Sequence, residues 1–140
     1  MLLVFENNVY LRNERKSEWL QCVTFDSLIV DLYSIDTEKD QQTKFICITE
    51  TTIETLSVLQ DKEVIGREQE VVLPGKAIRT KQSNLTWGNA KILILTHKKE
   101  LNQLSLWSFT DELAPTLLIK DLTEKKLDHH SFFDYVKVEG

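Results

Sequence analysis

The chain has 140 residues, of which 41% are hydrophobic and 28% are charged, and its formal net charge is −5. This composition is typical of a globular domain with a substantial core, so we predict one all-β domain over residues 1–140 or a segment of a larger assembly. The negative charge disfavours nucleic acid as a partner. The absence of a long apolar run or a secretion signal leads us to expect no membrane span and an intracellular protein, in the cytoplasm or nucleus.

The apolar segments are short, rich in β-branched and aromatic residues, and bounded by polar residues, which indicates strands rather than helices. In chain order we predict strands at residues 2–5, 9–12, 19–25, 28–35, 44–49, 53–59, 70–73, 77–81, 91–96, 104–109, 116–122 and 132–138. A helical turn is predicted only at residues 123–127. The predicted fold class is therefore all-β.

Two of these strands have counterparts about one blade length further along the chain. Residues 44–49 read KFICIT and residues 91–96 read KILILT, which places the second copy 47 residues after the first. Residues 55–59, TLSVL, similarly match residues 103–107, QLSLW, at an offset of 48. Strand repeats with a period in this range are typical of β-propeller blades.

On these two copies the chain resembles a divergent β-propeller of the WD40-like kind. The resemblance implies about three antiparallel blade-like sheets, formed by residues 2–25, 28–73 and 77–122, with the first running from inner to outer strand. The chain departs from the family pattern, because Leu106-Trp107-Ser108 stands where a Trp-Asp pair would end a strand. The alternative is a single-domain barrel or sandwich of the pleckstrin-homology kind, in which the repeat is coincidental.

Propellers usually close with about four to eight blades, so three blades would leave apolar faces and strand edges uncovered. We therefore expect a protein partner or a second copy of the chain to complete the sheet assembly. The last predicted strand, residues 132–138, would either open a fourth blade or close the ring by pairing with the incomplete first blade, and its aromatic residues require a partner surface in either case. They form a possible partner-contact surface of Phe132, Phe133 and Tyr135.

Few residues suggest catalysis or metal binding. Neighbouring side chains on a strand point to opposite sides, so His129 and His130 would not grip one metal ion together. Cys22 and Cys47 both lie in apolar runs, where a thiol behaves as a small hydrophobic group. We therefore predict no catalytic residues, no metal site, no cofactor and no enzymatic activity.

One basic group could contact an anion or an acidic peptide. Lys76, Arg79 and Lys81 lie close in sequence to Trp87, a combination that can hold a phosphate group. The competing interpretation is a solvated blade edge with Trp87 packed between blades. We thus predict a non-catalytic protein–protein interaction module, a scaffold component of a larger intracellular complex. The alternative is a small phosphoinositide- or phosphopeptide-binding domain of pleckstrin-homology type.

Overall fold

The computed structural model describes residues 2–13, 18–35, 42–59, 64–83 and 90–122. Within these ranges the chain forms the following strands: β1 (Leu2–Phe5), β2 (Asn8–Asn13), β3 (Glu18–Thr24), β4 (Ile29–Ile35), β5 (Gln42–Thr49), β6 (Thr52–Leu59), β7 (Val64–Val72), β8 (Lys76–Ser83), β9 (Lys91–Lys98), β10 (Gln103–Thr110) and β11 (Pro115–Ile119). The predicted strand at 132–138 and the predicted turn at 123–127 lie outside the described residues.

The strands form three antiparallel sheets in which chain neighbours are also sheet neighbours. The first sheet has the order β1-β2-β3, the second β4-β5-β6-β7, and the third β8-β9-β10-β11. The predicted all-β class with three blade-like sheets is confirmed. The alternative is wrong, because none of the sheets closes into a barrel and a sandwich consists of two sheets rather than three.

Short connections join the last strand of each sheet to the first strand of the next, through residues 25–28 and 73–75. The first strands of the sheets lie side by side, β1 against β4 and β4 against β8, while β3 lies against β7. This path from one sheet to the next is compatible with a blade-like arrangement.

Apolar side chains fill the spaces between the sheets. The cluster between the first and second sheets contains Val9, Leu11, Val23, Phe25, Cys47, Leu56 and Ile65. The cluster between the second and third sheets contains Ile35, Ile46, Ile48, Ile53, Leu73, Ala77, Ala90, Ile92, Ile94, Phe109 and Leu113. Both faces of the second sheet are therefore covered by neighbouring sheets, which explains why β5 is apolar at successive positions.

The repeat in the sequence corresponds to equivalent positions in successive sheets. Phe45 packs in the cluster shared with the first sheet, whereas its counterpart Ile92 packs in the cluster shared with the second. Each of the two residues thus faces the preceding sheet. The predicted offset of 47 residues between β5 and β9 therefore describes the three-dimensional repeat.

The predicted offset of 48 between β6 and β10 is wrong by five residues. Phe45 pairs with Leu56, and Ile92 pairs with Phe109, so the equivalent residues of β6 and β10 are 53 positions apart. The β9–β10 hairpin is longer than the β5–β6 hairpin, because each of its strands extends two residues further toward the turn and the turn has four residues, 99–102, instead of two, 50–51. The apparent match of two Leu-Ser dipeptides concealed this difference.

A backbone hydrogen bond recurs at the end of each sheet and defines the repeat more firmly than the residue types do. It runs from Phe25 N to Asn7 O at 2.8 Å, from Leu73 N to Thr51 O at 2.8 Å, and from Leu122 N to Leu104 O at 2.7 Å. The acceptors Asn7 and Thr51 lie in the hairpin turns that precede β2 and β6, and the acceptor Leu104 lies near the start of β10. The strands β1, β5 and β9 are therefore equivalent.

This equivalence changes the prediction for the first sheet. Since β1 matches β5 and β9, it corresponds to the second strand of each of the other sheets and not to the inner first strand. A second recurring bond agrees, from Ile29 N to Glu6 O and from Ala77 N to Glu50 O, both at 2.9 Å. Among the described strands, the first sheet thus has no counterpart of β4 and β8.

One predicted strand was much too short. The sequence predicted residues 70–73, whereas β7 runs from Val64 to Val72. The polar residues 67–69 concealed the earlier part of the strand, but β7 is an edge strand whose side chains at residues 67–70 are exposed. Charged residues are common on edge strands because they discourage unwanted pairing.

Candidate interaction surfaces

The first strand exposes three consecutive apolar side chains, which we name the β1 surface: Leu3, Val4 and Phe5. Their exposed fractions are 37%, 43% and 64%. The equivalent residues of β5 are fully or almost fully buried, at 0%, 0% and 1%: Cys47, Ile48 and Thr49. In β5 these positions are covered by β4 and by the first and third sheets. The β1 surface is exposed where the same positions of the repeat are otherwise interior.

The register shows which backbone groups of β1 face away from β2. Phe5 pairs with Asn8 across the two-residue turn, so these two residues form a hydrogen-bonded pair. Pairs of this kind alternate along an antiparallel ladder, and therefore the N–H and C=O groups of Val4 and Leu2 point away from β2. They form the outer edge of the first sheet. Their equivalents Ile48 and Ile46 lie opposite β4 residues in the second sheet.

Each of the other edge strands contains a residue that hinders further pairing. The three sheets have six edge strands among the described residues. Five of them carry a charged residue or a proline in their sequences, such as Glu18 in β3, Asp31 in β4, Arg67 in β7, Lys76 in β8 and Pro115 in β11. Leu2–Phe5 has neither. Since natural proteins usually protect an edge strand with charge or proline, the β1 edge is unusual among the described edge strands.

The structure brings the three predicted basic residues to one side of the third sheet. Lys76 lies opposite His97, Arg79 opposite Leu95 and Lys81 opposite Leu93. Side chains normally alternate between the two sides of a strand, which would separate Lys76 from Arg79 and Lys81. The bulge between Ala77 and Arg79 shifts this alternation by one residue, so the three basic residues lie on the same side of the sheet as Leu93 and Leu95. Lys76 also forms an ion pair with Glu50 at 3.2 Å.

Four of the predicted contact residues lie outside the described residues. They are Trp87, Phe132, Phe133 and Tyr135. The proposed combination of basic residues with Trp87 is therefore represented in the structure only by its basic members.

A polar contact joins the first strands of the second and third sheets. The hydroxyl groups of Tyr33 and Thr80 lie 2.5 Å apart, and both donate to Oδ2 of Asp31, at 3.1 and 3.0 Å. Burial is the main reason that the pKa of Tyr33 is raised to about 12. The neutral phenol is therefore favoured here, as expected of a hydroxyl that holds two sheets together.

A second polar contact lies between the first and second sheets. Arg67 donates from Nε to Glu54 Oε1 at 2.6 Å and from Nη2 to Glu54 Oε2 at 2.9 Å. The Glu54 side chain is only 3% exposed, and the guanidinium lies 4.7 Å from the centre of the Phe25 ring. Hydrogen bonding to Glu54 raises the pKa of Arg67. The arrangement anchors β7 to the connection that leads into β4.

The small cleft beside Arg67 does not have the size of a ligand pocket. Its volume is about 80 Å³, and it is lined by Thr24, Phe25, Asp26, Ser27, Thr51, Thr52, Arg67 and Glu70. Pockets for organic ligands usually enclose several hundred Å³ and are largely apolar. This cleft is better described as the solvated mouth of the Arg67–Glu54 contact.

The reactive side chains within the described residues occupy structural positions. Cys47 is buried, and desolvation raises the pKa of its thiol to about 12, which disfavours the nucleophilic thiolate. His97 Nε2 lies 3.2 Å from Asn102 Oδ1 at the β9–β10 turn. In this part of the chain, no group of three or more histidine, cysteine or acidic side chains is arranged to hold a metal ion. Nor do the described residues include a helix able to span a membrane.

Comparison with known proteins gives no match: no family model, no curated protein and no solved structure matches this chain. The WD40-like resemblance is therefore supported by the arrangement of the three sheets and by no matching family or structure.

Sequence reasoning missed the β1 surface, although a signal for it was present. The turn residues Glu6 and Glu50 are identical and accept equivalent hydrogen bonds, and an apolar strand precedes each of them. Aligning these turns would have identified β1 as a second strand without its first. The Arg67–Glu54 contact left no comparable signal, because the two residues lie on adjacent strands whose bulged register is not visible in sequence.

Proposed function

We propose that this chain is a non-catalytic protein–protein interaction module that acts as a scaffold component of a larger intracellular complex. The observation that carries the proposal is the β1 surface. Leu3, Val4 and Phe5 are exposed by 37–64%, whereas the equivalent residues of β5 are exposed by 1% or less. A partner that covers this surface would give it the environment that β5 has within the chain.

The energetics favour such a partner. Burying a large apolar side chain stabilises a protein by about 1.5–3 kcal/mol relative to leaving it in water. Three such side chains in one strand could therefore contribute several kcal/mol to association, before the entropic cost of binding. Contiguous apolar residues at an unprotected sheet edge are typical of binding sites rather than of ordinary surface.

The polar contacts support a structural role for the rest of the sheet stack. Tyr33, Thr80 and Asp31 bridge two sheets, and Arg67 is paired with Glu54. These are the groups with the clearest polar networks, and their bonds are made within the fold. We further propose that the three sheets are a divergent β-propeller segment, for which the sheet-to-sheet connections are the support.

Purification of the tagged chain from the cells that express it tests the proposed function. We expect a stoichiometric complex that can be reconstituted from the purified partner and whose mass is measured by light scattering. Phe5→Lys should abolish the complex, whereas Val72→Lys should preserve it. Val72 is a suitable control because it is also an apolar edge-strand residue and is 74% exposed. The proposal would be contradicted if the purified chain formed no complex with any of the copurified proteins. It would also be contradicted if Phe5→Lys and Val72→Lys retained the complex to the same extent.

A second candidate function is binding to phosphoinositides or phosphopeptides. The observation in its favour is that Lys76, Arg79 and Lys81 share one side of β8. Arg79→Glu with Lys81→Glu should then abolish binding to vesicles containing phosphatidylinositol bisphosphate or to a phosphopeptide. Lys91→Glu, which changes an exposed basic residue on β9, is the control. Wild-type chain that ignores both ligands would eliminate this candidate.

A further inference from the structure

We propose that the β1 edge binds an extended strand of a different protein chain, antiparallel to β1, and that this strand completes the first sheet. The inference rests on the proposed interaction function and names the form of the partner. Strand addition to a sheet edge is a general mode of peptide recognition, in which backbone hydrogen bonds provide affinity and alternate side chains provide specificity.

The first line of evidence is the repeat within the fold. In the second and third sheets, an antiparallel strand pairs with β5 and β9 on the side away from the rest of the sheet. The recurring backbone bonds at 2.7–2.9 Å make β1 the equivalent of these two strands. In the two equivalent places, beside β5 and beside β9, the chain therefore has an antiparallel strand.

The second line of evidence is the chemistry of the edge. Val4 and Leu2 direct their backbone N–H and C=O groups away from β2, and no charged residue or proline lies within Leu2–Phe5. The other edge strands carry such residues in their sequences. An edge that is not protected against pairing is expected where pairing is the function.

The fold also indicates the side chains that the partner strand should carry. In the second sheet, Asp31 lies opposite Ile48, and its carboxylate meets Thr80 of the next first strand. The residue of β4 that corresponds to Thr80 is Leu32, which packs in the apolar cluster between the first and second sheets. Partner residues opposite Val4 should therefore be apolar, because they would face Leu32 rather than a hydroxyl group.

The composition of β4 and β8 distinguishes the partner strand from a second copy of β1. Both strands contain polar or charged residues as well as apolar ones, and each carries a bulge near its start, between Ile29 and Asp31 and between Ala77 and Arg79. Leu2–Phe5 has four apolar residues and no polar position. We therefore assign the place beside β1 to a strand of mixed apolar and polar sequence from another chain.

A synthetic peptide can test the inference on the complete chain. The probe carries the sequence of Ile29–Ile35 with the change Asp31→Val and flanking lysines for solubility. We expect saturable binding of one peptide per chain, measured by isothermal calorimetry, and slower amide exchange at Leu2 and Val4, measured by NMR. The same peptide N-methylated at alternate amides on its β1-facing edge should not bind, because it lacks the backbone donors.

Two variants of the chain locate the binding. Val4→Pro removes an outward N–H while leaving the β1–β2 hydrogen bonds intact, since proline is tolerated on an edge strand. It should weaken peptide binding about tenfold or more. Val4→Lys should also weaken binding, whereas the matched change Val72→Lys should not. Thermal unfolding of each variant shows that the fold is retained.

Several outcomes would overturn the inference. Failure of the peptide to bind would do so, as would equal binding of the N-methylated peptide. Slow exchange at Leu2 and Val4 in the free chain would show that the edge is already paired within the molecule. A wild-type dimer that Val4→Pro converts to a monomer would assign the edge to a second copy. If the purified complex survives Val4→Pro but not Phe5→Lys, the proposed function stands and strand addition fails.

Discussion

Removal of the Arg67 guanidinium should destabilise the fold far more than removal of an exposed ion pair. In Arg67→Met, the carboxylate of Glu54 would keep its buried position, only 3% exposed, but lose both hydrogen bonds. A buried charge that loses its partner usually costs 3–5 kcal/mol. Because the Arg67 side chain is itself 43% exposed and water can approach it, we expect the lower end, about 3 kcal/mol.

Urea unfolding followed by circular dichroism measures this loss of unfolding free energy. In a thermal unfolding experiment, a change of about 3 kcal/mol should lower the midpoint temperature by roughly 10 °C for a chain of this size. Lys76→Met is the matched control, because it breaks the exposed Lys76–Glu50 pair, whose lysine is 64% exposed. Its expected cost is below about 1 kcal/mol.

A double variant separates the loss of the pair from the loss of packing. Glu54→Met combined with Arg67→Met leaves no unpaired charge and should be more stable than Arg67→Met alone. The reasoning would be refuted if Arg67→Met cost no more than Lys76→Met. It would also be refuted if the second change added a further loss, because the isolated Glu54 carboxylate would then not be the source of the instability.

Four further outcomes follow from the packing of the sheets. Thr80→Val should cost about 1–2 kcal/mol in urea unfolding, and the stabilising effect of Tyr33 over phenylalanine should fade above pH 10, because its pKa is about 12 in the fold and 10.0 without it; a constant effect from pH 8 to 12 would argue against this. In a Cys22→Ser background, Cys47 should react with iodoacetamide much more slowly in the folded than in the unfolded chain, because the thiol is buried and its pKa is raised, and comparable rates would contradict the burial argument. Ile48→Ala should cost about 3 kcal/mol and Val4→Ala below about 1 kcal/mol, since the first residue is buried and its equivalent exposed; equal losses would show that β1 is covered like β5.

The sequence was most informative where strands lie in the interior. Both β5 and β9 are covered on two sides, so both consist largely of consecutive apolar residues. The repeat between them can therefore be recognised from sequence similarity alone. The strand β1 has the same place in the repeat but shares almost no residue identities with them. Its equivalence became clear only from the backbone bonds of Glu6 and Asn7, which any residue type can make.

The candidate surface was the least predictable part. The exposure of Leu3, Val4 and Phe5 depends on the place of β1 at the edge of the described first sheet, and that is a property of sheet order rather than of local sequence. The basic side of β8 was predictable in part, because Lys76, Arg79 and Lys81 are close in sequence. Their common orientation depends on a bulge, and simple alternation would have placed Lys76 on the other side.

The two ends of the stack differ in a way that locates the incomplete end. On the side of the third sheet that faces away from the second, the apolar residues Leu93, Leu95, Leu104 and Leu106 are exposed by 9% or less. On the edge strand β1, Leu3 and Phe5 are exposed by 37% and 64%. We therefore place the proposed partner strand at the first sheet. A partner strand there would extend the pattern that relates β4 to β5 and β8 to β9, and would bury apolar side chains of β1 that are exposed in the described part of the chain.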